Sequence, residues 1–303
     1  DSTSSRGLGD VYKRQKRPLI GISFSIVSVF LGLASGLLIK KVSIEANLIT
    51  TLFYRFVFSV PLLLLFAVYT RGWSAFKISQ KRTMAFRTVF GFSGMVLWML
   101  AIRNLPLGQA TALFQSSVIF VTLLSPFLLN ENVGFVRWSS VILGLTGIII
   151  LTDPFSEKVS FNIIYGILAA VAGAFLSINL RKLGKGDHSI SVALVYNALA
   201  ALVMLCVVFI SPSSYHIEGN GVWIDLILLG IVTSVSQFFF TGAYHYVDAI
   251  VVSSMRYIQV PLAGFSGYLL FAELMTLSEI LGALIVVSSC LIIGWRELTN
   301  QKN

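Results

Sequence analysis

DAIVVSSMRYIQVPLAGFSGYLLFAE, Asp248–Glu273, is apolar enough to enter a bilayer and long enough to cross one. About 20 helical residues at 1.5 Å each span the hydrocarbon core. Within that length stand Arg256, Tyr257 and Gln259. A guanidinium at the centre of a lipid-facing helix costs ~2.5–3.5 kcal/mol on insertion scales, and a protein-lined cavity is the usual way to offset it. Pro261 removes one backbone donor, while Gly264 and Gly267 let a neighbouring backbone come close. The stretch reads as a helix lining a solute pathway.

The whole chain shares this character. It has 303 residues, 56% hydrophobic and 12% charged, with a mean hydropathy of +0.86. Soluble domains are about a quarter charged, so the chain is an all-α polytopic membrane protein. A transmembrane barrel would show alternating segments of roughly ten residues instead. The net charge of +9 falls in loops between apolar runs, so positive-inside bias explains it better than nucleic acid does. Cys206 and Cys290 lie inside apolar runs and read as packing residues, with no disulfide or metal site implied. Residues 1–15, DSTSSRGLGDVYKRQ, are polar and Ser/Gly-rich and read as a disordered leader or artefact outside the fold.

Ten spans are expected, near 19–39, 47–69, 84–102, 107–129, 134–152, 161–181, 190–210, 222–245, 249–271 and 276–295. The N-terminal flank (Lys13, Arg14, Lys16, Arg17) and the second loop (Arg71, Lys77, Lys81, Arg82, with Arg87 just beyond) are basic. So are the sixth loop (Arg181, Lys182, Lys185) and the tail, 296–303. All fall on one side if both termini are cytoplasmic, and Lys40 and Lys41 are the exception on the other side.

A shift of 142 aligns Ser35 with Ser177, Lys40 with Lys182, Tyr54 with Tyr196, Arg55 with Asn197, Ala101 with Ala243 and Glu131 with Glu273. The shift needs no gap through four spans. The chain therefore reads as two five-helix repeats, 18–152 and 161–295. Five is odd, so the second repeat is inverted. Inverted repeats are the architecture of secondary transporters, with the solute near the midplane.

Two passages extend this reading. One is Ala101–Ile150, AIRNLPLGQATALFQSSVIFVTLLSPFLLNENVGFVRWSSVILGLTGIII. The other is its counterpart Ala243–Glu297. Each pairs a near-neutral span closed by an acidic residue with a Gly-containing span. With Phe53-Tyr54-Arg55, the pattern resembles the drug/metabolite transporter superfamily, EamA-domain type, from Pro18 to Glu297. The resemblance implies ten spans, cytoplasmic termini, a central cavity and a small-metabolite solute.

Helical spacing groups the candidate site residues. Arg256 and Gln259 share a face, with Tyr257 beside them; Ser234, Gln237, Thr241 and His245 form a stripe in span eight. Gln115 lies in span four, Trp98 in span three and Asn179 in span six. Arg256, Gln259, Tyr257, Gln237, Gln115, Trp98 and Asn179 are the solute-binding candidates. Each has a plainer reading as well. Gln115 and Gln237 serve equally as interhelical hydrogen-bond glue. Arg256 is balanced between a carboxylate partner on the solute and backbone carbonyls. The stripe Ser25, Ser28, Gly32, Ser35 in span one reads first as close helix packing.

Arg55, Glu131, Glu273 and Ser35 are assigned to gating or structure. Arg55 lies nearer its span end, within reach of Glu45, and is expected to snorkel. Glu131 and Glu273 are expected to favour the N-terminal ends of spans five and ten. No carboxylate stands at mid-membrane. A core poor in charge suits a neutral or zwitterionic solute, moved by facilitated transport or exchange. The alternative is a proton-coupled exporter of metabolites or drugs. A membrane-embedded enzyme needs a nucleophile–base pair or metal ligands at depth, and a channel needs a filter; neither pattern is present. The expectation is a transporter of the bacterial inner membrane, monomeric or homodimeric, needing no cofactor and binding no nucleic acid, with a small-molecule solute and the lipid bilayer as partners.

Overall fold

The computed structural model describes residues 18–129, 135–152, 160–184, 186–210, 212, 217, 221–246, 252 and 255–300. These are all-helical apart from one isolated bridge between Ala46 and Ile217. In chain order the helices are α1 (Pro18–Val42), α2 (Leu48–Arg71), α3 (Lys81–Asn104), α4 (Leu107–Gln115) and α5 (Ser117–Leu129). Then follow α6 (Phe135–Thr152), α7 (Ile163–Leu183), α8 (Ser189–Ile210), α9 (Val222–Tyr246), α10 (Gln259–Phe271) and α11 (Leu277–Asn300). Among the described residues, seven segments are long and apolar enough to cross a membrane, with α4 and part of α5 counting as one. Shorter apolar helical stretches run Trp138–Thr152 and Leu277–Ser289. Large apolar side chains such as Leu65, Ile142, Phe209 and Leu270 face outward. In water such a surface would aggregate; in a bilayer it is solvated by acyl chains.

Polar side chains close the helix ends. Asn47 caps α2 by accepting the Thr50 N–H at 2.9 Å, and Gly72 ends that helix at φ 57°. Asp187, in the α7–α8 connection, accepts the N–H groups of Ser79 and Gln80 at 2.7 and 3.2 Å, just before α3. Thr276 and Glu279 form a capping box on α11: each side chain accepts the other's backbone N–H, at 3.3 and 2.7 Å.

The two halves pack by exchange. α1 lies on α9 and α3 on α7, while α2 pairs with α8, α4 with α10 and α6 with α11. First and third helices swap partners across the halves, and second, fourth and fifth meet their own counterparts. A pseudo-twofold axis between the halves produces this pattern. α6 and α11 form the periphery; the other helices surround the centre.

Candidate functional site

Two spans expected to be continuous are broken near their middles. Ser116 interrupts the fourth. Its N–H is shared between the Ala112 and Leu113 carbonyls at 3.1 and 3.2 Å, and its hydroxyl donates to Leu113 O at 2.6 Å. The hydroxyl competes for a carbonyl of the helical ladder, and the turn tightens: the Ile119 N–H reaches back only to Ser116 O, at 2.9 Å. The ninth span breaks at Tyr257–Ile258. Pro261 has no N–H to give to Tyr257 O, which accepts instead from Val260 N–H at 3.1 Å. Position 116 plus the repeat shift of 142 is 258, so the two breaks are repeat equivalents. Ser117 and Gln259, the first residues of α5 and α10, occupy equivalent places under the same shift.

Between these breaks lies a central cavity. It offers about 140 Å³ to water centres. Every helix except α6 and α11 contributes to its wall. Ser28, Gly32 and Ser35 of α1 face it, as do Ser177 of α7 and Thr233 of α9. Phe90, Trp98, Phe114, Tyr196 and Phe240 supply aromatic surface. The Trp98 indole N–H is buried there without a hydrogen-bond partner.

Three guanidiniums line this one cavity: Arg55, Arg87 and Arg256. Arg87 is 1% exposed. It lies 3.6 Å from the centroid of the Tyr196 ring and donates weakly to Gln237 Oε1 at 3.4 Å. Arg55 is 3% exposed, 4.4 Å from the Phe56 ring. The Nε and Nη1 of both are buried with no hydrogen-bond partner. Arg256 sits over Phe114 and Phe240, at 5.4 and 5.1 Å. Beside it Gln115 donates to Gln259 Oε1 at 2.9 Å, joining α4 to α10. Among the described lining residues none is Asp or Glu.

The structure therefore brings together Arg256, Gln259, Gln237, Gln115, Trp98, Arg55 and Ser35. Tyr257 and Asn179 lie elsewhere. The Tyr257 ring belongs to the apolar core, and Asn179 turns back to donate to Phe175 O at 2.8 Å. Several expectations change. Arg55 does not snorkel toward Glu45; it is buried against the cavity because its face of α2 points inward. Arg87 escaped sequence reading: close to the basic second loop, it passed for a loop charge, yet it lies six residues inside α3. The small-residue stripe of α1 packs on α9 and also forms cavity wall. With three guanidiniums, the core is not poor in charge.

Glu273 does not sit on the start of the tenth span. It accepts the Leu107 N–H, the first of α4, at 2.7 Å and pairs with Lys40 Nζ at 2.6 Å. Lys40 also donates to Ile102 O and Leu105 O, both at 2.8 Å. The exceptional loop lysine is thus a tie among α1, α3, α4 and α10; its neighbour Lys41 pairs with Asp225 at 2.9 Å. Glu131 and the His245 side chain lie outside the described residues.

A helical bundle with a polar cavity between two related halves is a carrier's architecture, and the comparisons with known proteins agree. The EamA-like transporter family model matches twice, over residues 19–153 and 160–295. This chain belongs to the EamA-like transporter family. Like its EamA relatives it is a transporter and not an enzyme. The S-adenosylmethionine uptake transporter of Rickettsia felis is 29% identical over 283 residues, covering 93% of this chain and 95% of its own. The pseudopaline exporter CntI of Pseudomonas aeruginosa is 24% identical over 275 residues, covering 89% and 94%. A solved crystal structure superposes with a TM-score of 0.62 at 17% identity, covering 90% of this chain and 96% of that one, a likeness of fold alone.

Proposed function

We propose that this EamA transporter is a secondary carrier moving a small polar metabolite across the cytoplasmic membrane by alternating access, through facilitated transport or exchange. The solute is amino acid-like or another small organic molecule. The observation that carries this reading is the arginine-lined cavity at the junction of two related halves, walled by residues of both. Rocking one half against the other would open that cavity to each side in turn. Gln115, Gln259, Gln237 and Trp98 would orient the solute through donors and acceptors, and Arg256 through its charge. The broken helices place backbone polarity at the cavity without exposing it to lipid. Relatives that import S-adenosylmethionine and export pseudopaline support metabolite transport in either direction.

Counterflow in proteoliposomes tests it. Vesicles loaded with amino acids or small organic acids should take up the labelled solute against its gradient, with saturation. Flux proportional to concentration, with no counterflow, would mark a channel.

A further inference from the structure

The cavity's charge is unbalanced in a way that a neutral metabolite leaves unexplained. Three guanidiniums line it, and no described lining residue is acidic. Arg55 and Arg87 are almost wholly buried, each with Nε and Nη1 lacking a partner. An unpaired buried charge is costly, and the cost is relieved by a counter-charge that also accepts the free N–H groups.

The positive groups come from both halves: Arg55 and Arg87 from the first, Arg256 from the second. Aromatic surface lines the same cavity, with Phe114 and Phe240 around Arg256 and Trp98 tilted against Phe114 at 5.6 Å. The free Trp98 N–H is one more donor for an oxygen anion.

We propose that the solute is a small organic dianion, with two oxyanion groups, carboxylate or phosphate, on an unsaturated or aromatic scaffold, gripped between the guanidiniums of the two halves. This rests on the carrier reading of the cavity and names what the cavity selects. Each oxyanion would take paired N–H donors, which arginine presents in a planar fork. The scaffold would lie against the aromatic walls. A solute with a fixed positive charge, such as the sulfonium of S-adenosylmethionine, meets repulsion in this site. Sequence identity below 30% to the Rickettsia transporter leaves room for that difference.

The purified full-length chain in detergent tests this by calorimetry against isophthalate, 3-phosphonobenzoate, the neutral isostere isophthalamide, and S-adenosylmethionine. At least one dianion should bind about a hundredfold more tightly than isophthalamide, because charge-assisted pairs are lost together. Whichever dianion binds tighter distinguishes carboxylate from phosphate. Arg55→Gln, Arg87→Gln and Arg256→Gln should each weaken the dianion about tenfold or more and leave isophthalamide unchanged. If a variant does not fold, the native protein still decides: its dianion affinity should fall steeply with salt while that of isophthalamide does not.

Isophthalamide or S-adenosylmethionine binding as tightly as the tighter of the two dianions overturns the proposal. So does the absence of dianion binding at millimolar concentrations. Counterflow keeps the two readings apart. Exchange of neutral or zwitterionic solutes with no preference for dianions removes the dianion and keeps the carrier. Tight dianion binding with no counterflow of any solute removes the carrier and keeps the site.

Discussion

Lys40 and Glu273 show how much one pair can join. The lysine spends its three hydrogens on a carboxylate and two carbonyls, and the carboxylate also receives the first N–H of α4. Both side chains are 15% exposed, so water screens the pair only in part. Lys40→Met and Glu273→Gln should each lower the melting temperature in detergent, by ~2–4 °C for every kcal/mol lost. A double-mutant cycle should return a coupling of about 1–3 kcal/mol. Swapping the charges, Lys40→Glu with Glu273→Lys, should not rescue. The new carboxylate would face the carbonyls of Ile102 and Leu105, and the new ammonium would face the Leu107 N–H. Rescue by the swap would mean that simple charge attraction holds the pair. Sequence reading took Lys40 as a loop charge on the wrong side and Glu273 as a cap for the next helix. Sequence distance hides the contact: the two residues are 233 positions apart (273 − 40).

Arg87 is a second residue whose surroundings outweigh its charge. It stacks on Tyr196 and reaches Gln237, contacts that need a planar fork. Arg87→Lys keeps the charge but loses the stack and the forked geometry. Counterflow efficiency, as kcat/KM, should fall about tenfold, the effect of one lost charge-assisted contact of ~1.5 kcal/mol. Native efficiency in Arg87→Lys would show that a point charge is enough. The signal available in the sequence was position: Arg87 falls inside the span expected from residue 84 and not in the loop before it. Its nearness to Lys81 and Arg82 concealed this.

At the scale of elements, most helices were legible from apolar length and the basic loops. The breaks in the fourth and ninth spans were not, because hydropathy is blind to a turn within an apolar run. The chemistry was nonetheless in view: Gln115-Ser116-Ser117 in one span and Pro261 in the other. Pro261→Ala restores a donor for Tyr257 O and favours continuing the helix through Ile258. That would turn Arg256 and Gln259 away from their present positions. The expected result is reduced counterflow with equal or higher melting temperature; full transport in Pro261→Ala would show that the break is held by tertiary packing.

The same two spans meet backbone to backbone. A Cβ on Gly108 would fall 2.5 Å from Met275 Sδ and 2.8 Å from Gly264 Cα. The sulfur can move but the Cα cannot, so α4 and α10 would have to part. Gly108→Ala should cost ~1–3 kcal/mol as overpacking. Gly221→Ala, with nothing within 4 Å of the new methyl, should leave stability nearly unchanged. Thermal unfolding of the pair checks the contrast.

At the scale of the whole molecule, the repeat was the most legible feature. A gapless shift carried Ser35 onto Ser177, and both line the cavity. The shift also carried Trp98 onto Phe240 and Gly94 onto Ser236, all four lining residues. What it did not convey is that function has made the halves unequal. The first half gives Arg55 and Arg87, whose equivalents Asn197 and Leu229 are neutral. The second gives Arg256, whose equivalent is Phe114. Two of the three charges thus come from the first half and one from the second, and the equivalent position of each is uncharged.

This inequality bears on energy coupling. A proton-driven carrier needs a group in the pathway that gains and loses a proton as it turns over. The charged side chains among the described lining residues are guanidiniums, not the carboxylates or imidazoles that carry protons near neutral pH. No described lining carboxylate or histidine offers an alternative. Exchange driven by solute gradients alone is therefore expected. Counterflow rates in proteoliposomes should be the same with and without an imposed proton gradient, and a protonophore should change nothing. Stimulation by an acid exterior, abolished by the protonophore, would oppose that reading. It would direct attention to Asp248 and Glu131, which flank the ninth and fourth spans in sequence and lie outside the described residues.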